Sequence, residues 1–363
     1  MWHDPRVSTA LPRRILIVRL GAIGDVVNAL VLANAIRRFD PAVEIGWAVH
    51  DLSLPMVHAH PSIDRVHLWK RGGGIAEFRR LVRELREVQY ELAIDLQRLA
   101  KSATLARASR APRILGFDRA RTKEGSFLLT SERILAGDRS LHMVDQYLEF
   151  ARYLGIADAR AEFRWPDDPA AESWAESWVR EHGAPLLLNL GASKARKMWP
   201  PERFGELALA IERAFGVPIA FTGSPADSAL AGRARGRATA LDSRSGKSWH
   251  DLTGKTSLIQ LAALQARALG VVTCDTGPMH MAVARGARVI TIFGPGEPMR
   301  TGPYGQLANV VRRRANGTPA GLERDRELRT SDVQVEHVME RLGQWFAGGI
   351  DDARGSSSVS AAS

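Results

Sequence analysis

The sequence holds a single cysteine, Cys274, among 363 residues. That excludes an intramolecular disulfide and any cysteine-based metal cluster, and Cys274 is expected to pack as a small apolar residue at the end of its strand. Apolar runs such as 15–18 and 269–273 are strand-length, far below the roughly 20 residues of a spanning helix, so no transmembrane segment is expected. The N-terminal MWHDPRVSTALPRR lacks the basic-then-apolar order of a secretory signal, which predicts a cytoplasmic protein. There is no H-E-x-x-H, no paired-histidine spacing and no clustered cysteine to hold a metal. No G-x-S-x-G elbow marks a serine hydrolase, and no helix-turn-helix, zinc-finger or RNA-recognition signature marks a nucleic-acid binder. Metal-independent group transfer without a bound cofactor is the chemistry left.

What is present is length and charge. A chain of 363 residues is long for one core and predicts two domains. Fifty Lys and Arg against forty Asp and Glu give a formal charge of +10, which favours polyanionic partners without choosing among nucleic acid, phosphorylated substrates and anionic membrane surfaces.

Two regions alternate strand-like and helix-like segments. The first places short strands at 14–20, 44–49, 65–69, 91–96 and 113–117, mostly followed by helical spacing, with a helix at 142–154. A link is expected at 163–168. The second places strands at 185–190, 217–222, 269–274 and 288–293 among helices at 201–215, 226–235, 257–267 and 278–285. Runs of βα units imply mainly parallel sheets covered by helices, and two such domains predict a cleft between them. An amphipathic helix at 331–346 precedes a small, polar tail read as disordered.

Four kinds of loop carry possible chemistry. RLGAIGDVV turns on Gly21 and Gly24, a G-x-x-G spacing that fails the three-glycine dinucleotide fingerprint and argues against NAD. Its Asp25 is either a first-turn acid favourable to the helix dipole or a general base at the carboxyl end of a parallel strand. LNLGASKARKMWPPERF leaves a strand with Lys194, Arg196 and Lys197, either a solvated basic turn or a phosphate site. VTCDTGPMHMA starts a helix whose unpaired N–H groups and dipole suit an anion, unless Asp275 and Thr276 merely cap it and His280 packs. FTGSPAD and LTGKTS, holding Thr222, Gly223 and Thr256, complete with IFGPGEP a set of small polar loops that a nucleotide pocket explains economically. The basic residues of WKRGGGIAEFRRLVRELRE and of FDRARTKEG, including Arg121, read mostly as solvated surface, some of it available to an acidic acceptor.

Taken in order, RLGAIGDVV, DLQRLAKSA, KMWP, FTGSPAD, LTGKTSL and CDTGPMHMA followed by IFGP resemble the ADP-heptose:lipopolysaccharide heptosyltransferases, glycosyltransferase family 9. The resemblance runs from Arg13 to Tyr304. It implies an α/β fold of GT-B type, two Rossmann-like doubly wound domains facing a central cleft: an acceptor-binding domain at 1–165, a nucleotide-sugar-binding domain at 166–330, a C-terminal helix at 331–349 and a tail at 350–363. It implies inverting, metal-independent transfer of heptose from ADP-heptose to the inner core of lipopolysaccharide. The partners would be a nucleotide sugar and an anionic glycolipid at the inner membrane surface, met by a peripherally associated monomer.

Residue by residue, Asp25 matches the family's proposed base and Lys197 the lysine that meets the donor phosphates. Ser193 matches a hydroxyl contact to phosphate. Thr276, Gly277 and His280 match the element that holds the diphosphate, and Asp275 a contact to the sugar. Thr222, Gly223 and Thr256 fall on the donor side. Gly24, Gln97, Lys101 and Arg121 fall on the acceptor side. The family often has glycine after the glutamine, where this chain has Arg98. Competing readings are a nucleotide-sugar epimerase of the same architecture and a non-catalytic nucleotide-binding docking protein.

Overall fold

A computed structural model describes residues 11–348. The chain divides into two compact units, Met1–Asp167 and Asp168–Ser363. The tail expected to be disordered, 350–363, lies outside the described residues.

The first unit runs β1 (Arg14–Val18), α1 (Ile23–Phe39), β2 (Glu44–His50), β3 (Arg65–Trp69), α2 (Gly74–Val88), β4 (Leu92–Asp95), α3 (Ala100–Ala108), β5 (Arg113–Gly116), β6 (Glu132–Arg133) and α4 (Met143–Tyr153). Its six strands lie in the order β3-β2-β1-β4-β5-β6, every pair parallel. Apart from Arg14, the central strands β1 and β4 are buried throughout, which is why they read as apolar runs instead of alternating. Leu81, Val82 and Leu85 give α2 its buried stripe, packed on Leu16, Val18 and Ala48 of the sheet. The opposite arginine-rich face is solvated as expected: exposed Arg80 bridges Glu77 and Glu84 at helical spacing.

The second unit runs α5 (Pro169–His182), β7 (Leu186–Asn189), α6 (Pro201–Phe215), β8 (Ile219–Thr222), α7 (Ser228–Leu241), β9 (Trp249–Asp251), α8 (Leu258–Gln265), β10 (Gly270–Cys274), α9 (Gly277–Ala284), β11 (Val289–Ile292), α10 (Pro298–Thr301), β12 (Val310–Val311) and α11 (Val335–Ala347). The strand order is β12-β11-β10-β7-β8-β9, again parallel. Asp168 caps α5 by accepting from the Ala171 N–H, with Pro169 in the first turn. Strands β6, β9 and β12 have two or three residues each, too short for a periodicity to show.

In both units the chain builds outward from one central strand, then returns to start on the strand's other side. The switch falls between β1 and β4 in the first unit, and between β7 and β10 in the second. Loops leaving the carboxyl ends of those four strands are where a doubly wound fold opens a crevice for a ligand.

Candidate active site

At the first switch point, the loop after β1 enters α1 with Gly24 and Asp25 in the first turn. The Asp25 carboxylate, its side chain 41% exposed, lies 2.5 Å from the guanidinium of Arg19, which is almost fully buried. Burial works against the Arg19 charge, but Asp25 foremost, with Tyr147 and Asp95, outweighs it and raises its proton affinity above the ordinary value. Arg19 also donates to the Leu96 carbonyl, while its own carbonyl accepts from the buried Trp47 indole. A rigid cation therefore orients a reachable carboxylate. The motif RLGAIGDVV by itself assigns Arg19 no role; the signal that marks it is a charged residue directly after a buried strand.

Gln97 spans the switch: its side-chain carbonyl accepts from the Leu20 N–H at 2.7 Å, tying the loop after β4 to the loop after β1. Arg98 follows with φ of +68°, the left-handed region that favours glycine. The backbone geometry of a glycine position is thus kept by a residue whose guanidinium stacks 5.2 Å from the Phe117 ring centroid.

Lys101, on the first turn of α3, is exposed. Its ammonium sits 4.1 Å from the Trp69 ring centroid and 3.4 Å from His50 Nε2. The opposite ring nitrogen of His50 lies 2.7 Å from the Trp69 carbonyl. A carbonyl only accepts, so Nδ1 carries the proton and Nε2 receives the lysine. Burial, then Lys101 and Arg71, lowers the His50 pKa.

Arg121 requires a correction. It is 4% exposed, bridged to Asp118 and to Glu149, and it donates to the Leu135 carbonyl. Its charge is spent holding the segment between β5 and α4, so it offers none to an acceptor.

Beneath the site Asp95 is buried, and burial pushes its carboxyl up to about 6 against hydrogen bonds that favour the ion. The folded state therefore binds this proton more tightly than the unfolded chain. Its stabilisation is complete below about pH 4 and is lost as pH rises through about 6, a change of about 3 kcal/mol. Denaturant unfolding should show the stability of the wild type, relative to Asp95→Asn, falling across that window; a pH-independent difference would contradict it.

At the second switch point, the loop after β7 carries exposed Ser193 and a 3-10 turn, Ala195–Lys197. Trp199, buried, anchors the loop through its indole N–H to the Val333 carbonyl at 2.8 Å. Lys197 is thereby aimed across the switch, and its ammonium meets the Asp275 carboxylate at 2.5 Å. Asp275 directly follows β10 and precedes α9, whose N-cap is Thr276. The Thr276 side chain accepts no capping hydrogen bond, so its hydroxyl is not committed to the helix start. Gly277 and Pro278 form the first turn, fixed from behind by buried Gln265, which donates to the Pro278 carbonyl. His280 is buried one turn in. Burial pushes the Cys274 thiol up to about 12, consistent with an inert packing residue.

The flanking loops differ from expectation at one position. Thr222 is 1% exposed, and its hydroxyl donates to Asn189, which itself donates to the Gly191 carbonyl and to Thr273. Its side chain braces adjacent strands and does not face a donor. Gly223 and Gly191 leave room for the Asp227 carboxylate: a Cβ at either would come within 3 Å of that side chain. Asp227 in turn holds Ser224 through its N–H and hydroxyl. Thr256 is half-buried beside Ser257, which caps α8.

The fold is that of known sugar-nucleotide transferases. Escherichia coli ADP-heptose lps heptosyltransferase II superposes with a TM-score of 0.74 at 22% identity, covering 92% of this chain and 99% of that one. The E. coli heptosyltransferase WaaC with ADP-2-deoxy-2-fluoro heptose gives 0.73 at 23% identity, covering 91% and 99%. Two parallel six-stranded sheets with flanking helices make this a GT-B fold.

The family model of glycosyltransferase family 9 (heptosyltransferase) matches residues 78–329. The lipopolysaccharide core heptosyltransferase OpsX of Haemophilus influenzae is 29% identical over 305 residues, 84% of this chain and 85% of the relative. Lipopolysaccharide heptosyltransferase 1 of Pseudomonas aeruginosa is 28% identical over 310 residues, 81% and 82%. The chain belongs to glycosyltransferase family 9 and is a glycosyltransferase. The span matched by the family model takes in Gln97 through His280, whereas Gly24 and Asp25 precede it.

Proposed function

We propose that this chain moves a heptose from ADP-heptose to the inner core of lipopolysaccharide, by an inverting displacement that needs no metal. The observation that carries the reading is the Lys197–Asp275 pair across the second switch point, at the start of α9. A leaving diphosphate requires positive charge, and an ammonium beside the N–H groups and dipole of a helix start supplies it. Ser193, Thr276, Gly277, His280 and Thr256 complete the donor side, with Asp275 for the sugar. Gly223 contributes only backbone there.

Inversion by direct displacement also needs a base for the acceptor hydroxyl. Asp25, ionised beside Arg19, takes that role, and Gln97 and Lys101 meet the acceptor. The names of the relatives support heptose and lipopolysaccharide as the substrates. Such an acceptor is an anionic glycolipid, so the enzyme would work as a monomer at the inner membrane surface; among the described residues no helix is long and apolar enough to cross a membrane.

The reading is tested by melting the protein with ADP-, UDP- and GDP-sugars. Saturating ADP-sugar should raise Tm by roughly 3–4 °C, the shift that binding at about 100 times Kd produces in a chain of this size. EDTA should leave both the shift and transfer unchanged. A preference for UDP-sugar would point instead to an epimerase, and no shift with any of them to a docking protein.

A further inference from the structure

Every strand pair of the first unit is parallel, so every loop that follows a strand leaves from one edge of the sheet. That edge carries Asp25, Gln97 and Lys101. It also carries five of the eight large apolar side chains that are exposed among the described residues. Leu52 follows β2, and Ile75 follows β3. Leu128 stands in the 3-10 turn between β5 and β6, in a segment tied to the loop after β4 by the Lys123 N–H to the Arg98 carbonyl and by the Ala100 N–H to Glu124, and Leu135 and Leu141 follow β6. Their exposure is high: 58% for Leu52, 70% for Ile75, 77% for Leu128 and 82% for Leu135. Because β3 and β2 lie at one end of the strand order and β5 and β6 at the other, the apolar side chains flank the acceptor residues on both sides.

Single exposed leucines on a soluble protein need no explanation, but their concentration on one functional edge does. The charges beside them are mostly cationic. Lys70, Arg119, Lys123, Arg133 and Arg139 are exposed there. Of the carboxylates in the same loops, Asp51 is paired with Arg71 and Asp118 with Arg121, which leaves Glu124 and Asp138, held only by the Ala100 N–H and by Ser140, outnumbered by these cations. Apolar tips fringed by cations are the composition that lies in an interface, with the tips among acyl chains and the cations at anionic headgroups. A second copy of this chain would bring the same cations against each other, so charge complementarity favours the lipid.

We infer that the carboxyl-edge loops of the first unit, led by Leu128 and Leu135 on one side and Ile75 on the other, dock this enzyme on an anionic lipid bilayer. The inference rests on the reading that its acceptor is a glycolipid, and it names the surface that would meet the membrane. Docking by this edge brings the acceptor residues to the bilayer surface, where a membrane-anchored sugar chain begins.

The test is co-sedimentation of the full chain with vesicles. Wild type should pellet with phosphatidylglycerol-containing vesicles, and far less with vesicles of phosphatidylcholine alone. The double variant Leu128→Ser/Leu135→Ser should partition about 100-fold less, roughly ten-fold for each leucine withdrawn from contact. Ile75→Ser, on the opposite flank, should lose about ten-fold by the same rule and serves if the double variant is poorly folded. The melting shift with ADP-sugar and turnover on a lipid-free acceptor fragment should stay at wild-type levels in both. Equal partitioning of variants and wild type, or a wild-type dimer that these substitutions dissociate, would overturn the inference. Failure of heptose transfer with vesicle binding intact counts against the reaction proposed above and leaves the docking surface standing.

Discussion

Asp25→Asn is expected to lower kcat about 1000-fold, the scale of a lost general base, while the melting shift with ADP-sugar stays as in wild type. The asymmetry follows from where the residues stand. Asp25 belongs to the first unit, whereas the loops proposed to hold the donor belong to the second, so the substitution removes a proton acceptor without touching a group assigned to the diphosphate. Asparagine keeps the shape of the side chain and can still accept from Arg19, so the helix start survives; it cannot take a proton. Arg19→Met separates the role of the ion pair from that of the base. It leaves the carboxylate but removes the buried cation 2.5 Å away, which favours the protonated form, so the acid limb of kcat/KM should move to higher pH. Turnover retained in Asp25→Asn would remove the base from the proposal.

The βα alternation was legible because the central strands are buried on both faces and so stand out as apolar runs. The short β6, β9 and β12 were not, since two or three residues make no period. Among candidate site residues at the switch points, Asp25, Lys197 and Asp275 were legible as loop chemistry, whereas Gln97 came only with the family resemblance; all four follow the ends of the central strands. Thr222 and Arg121 were misjudged for a shared reason. Composition shows that a polar residue sits in a polar loop, but not whether its partner is a ligand or another side chain. In Thr222 the partner is Asn189, and in Arg121 it is Asp118 and Glu149. Arg19 was overlooked for the converse reason: its ion pair to Asp25 spans six positions of a turn, a juxtaposition no helical or strand spacing announces. Arg98 was noticed as a departure from the family pattern, and only its φ of +68° shows that the backbone did not depart with it.

Lys197→Met should lower kcat by about 100- to 1000-fold, the usual cost of losing a preorganised group that stabilises developing charge, and should also weaken donor binding. Two effects combine in that variant. The leaving diphosphate loses its cation, and Asp275, 7% exposed, loses its counter-charge at the spot where the anionic donor must enter. Without the ammonium the carboxylate repels the donor, and removing one partner of a largely buried ion pair costs about 3 kcal/mol of fold stability. The double variant Lys197→Met/Asp275→Asn separates the two. With no charge left buried, stability should return to near the wild-type value and donor binding should partly recover, because the repulsion is gone. Turnover should stay low, because nothing replaces the ammonium on the leaving group. Denaturant unfolding and ADP-sugar titration of both variants, read beside kcat, provide the check. Recovery of turnover together with stability would mean that Lys197 only neutralises Asp275, and would transfer the work on the diphosphate to the start of α9.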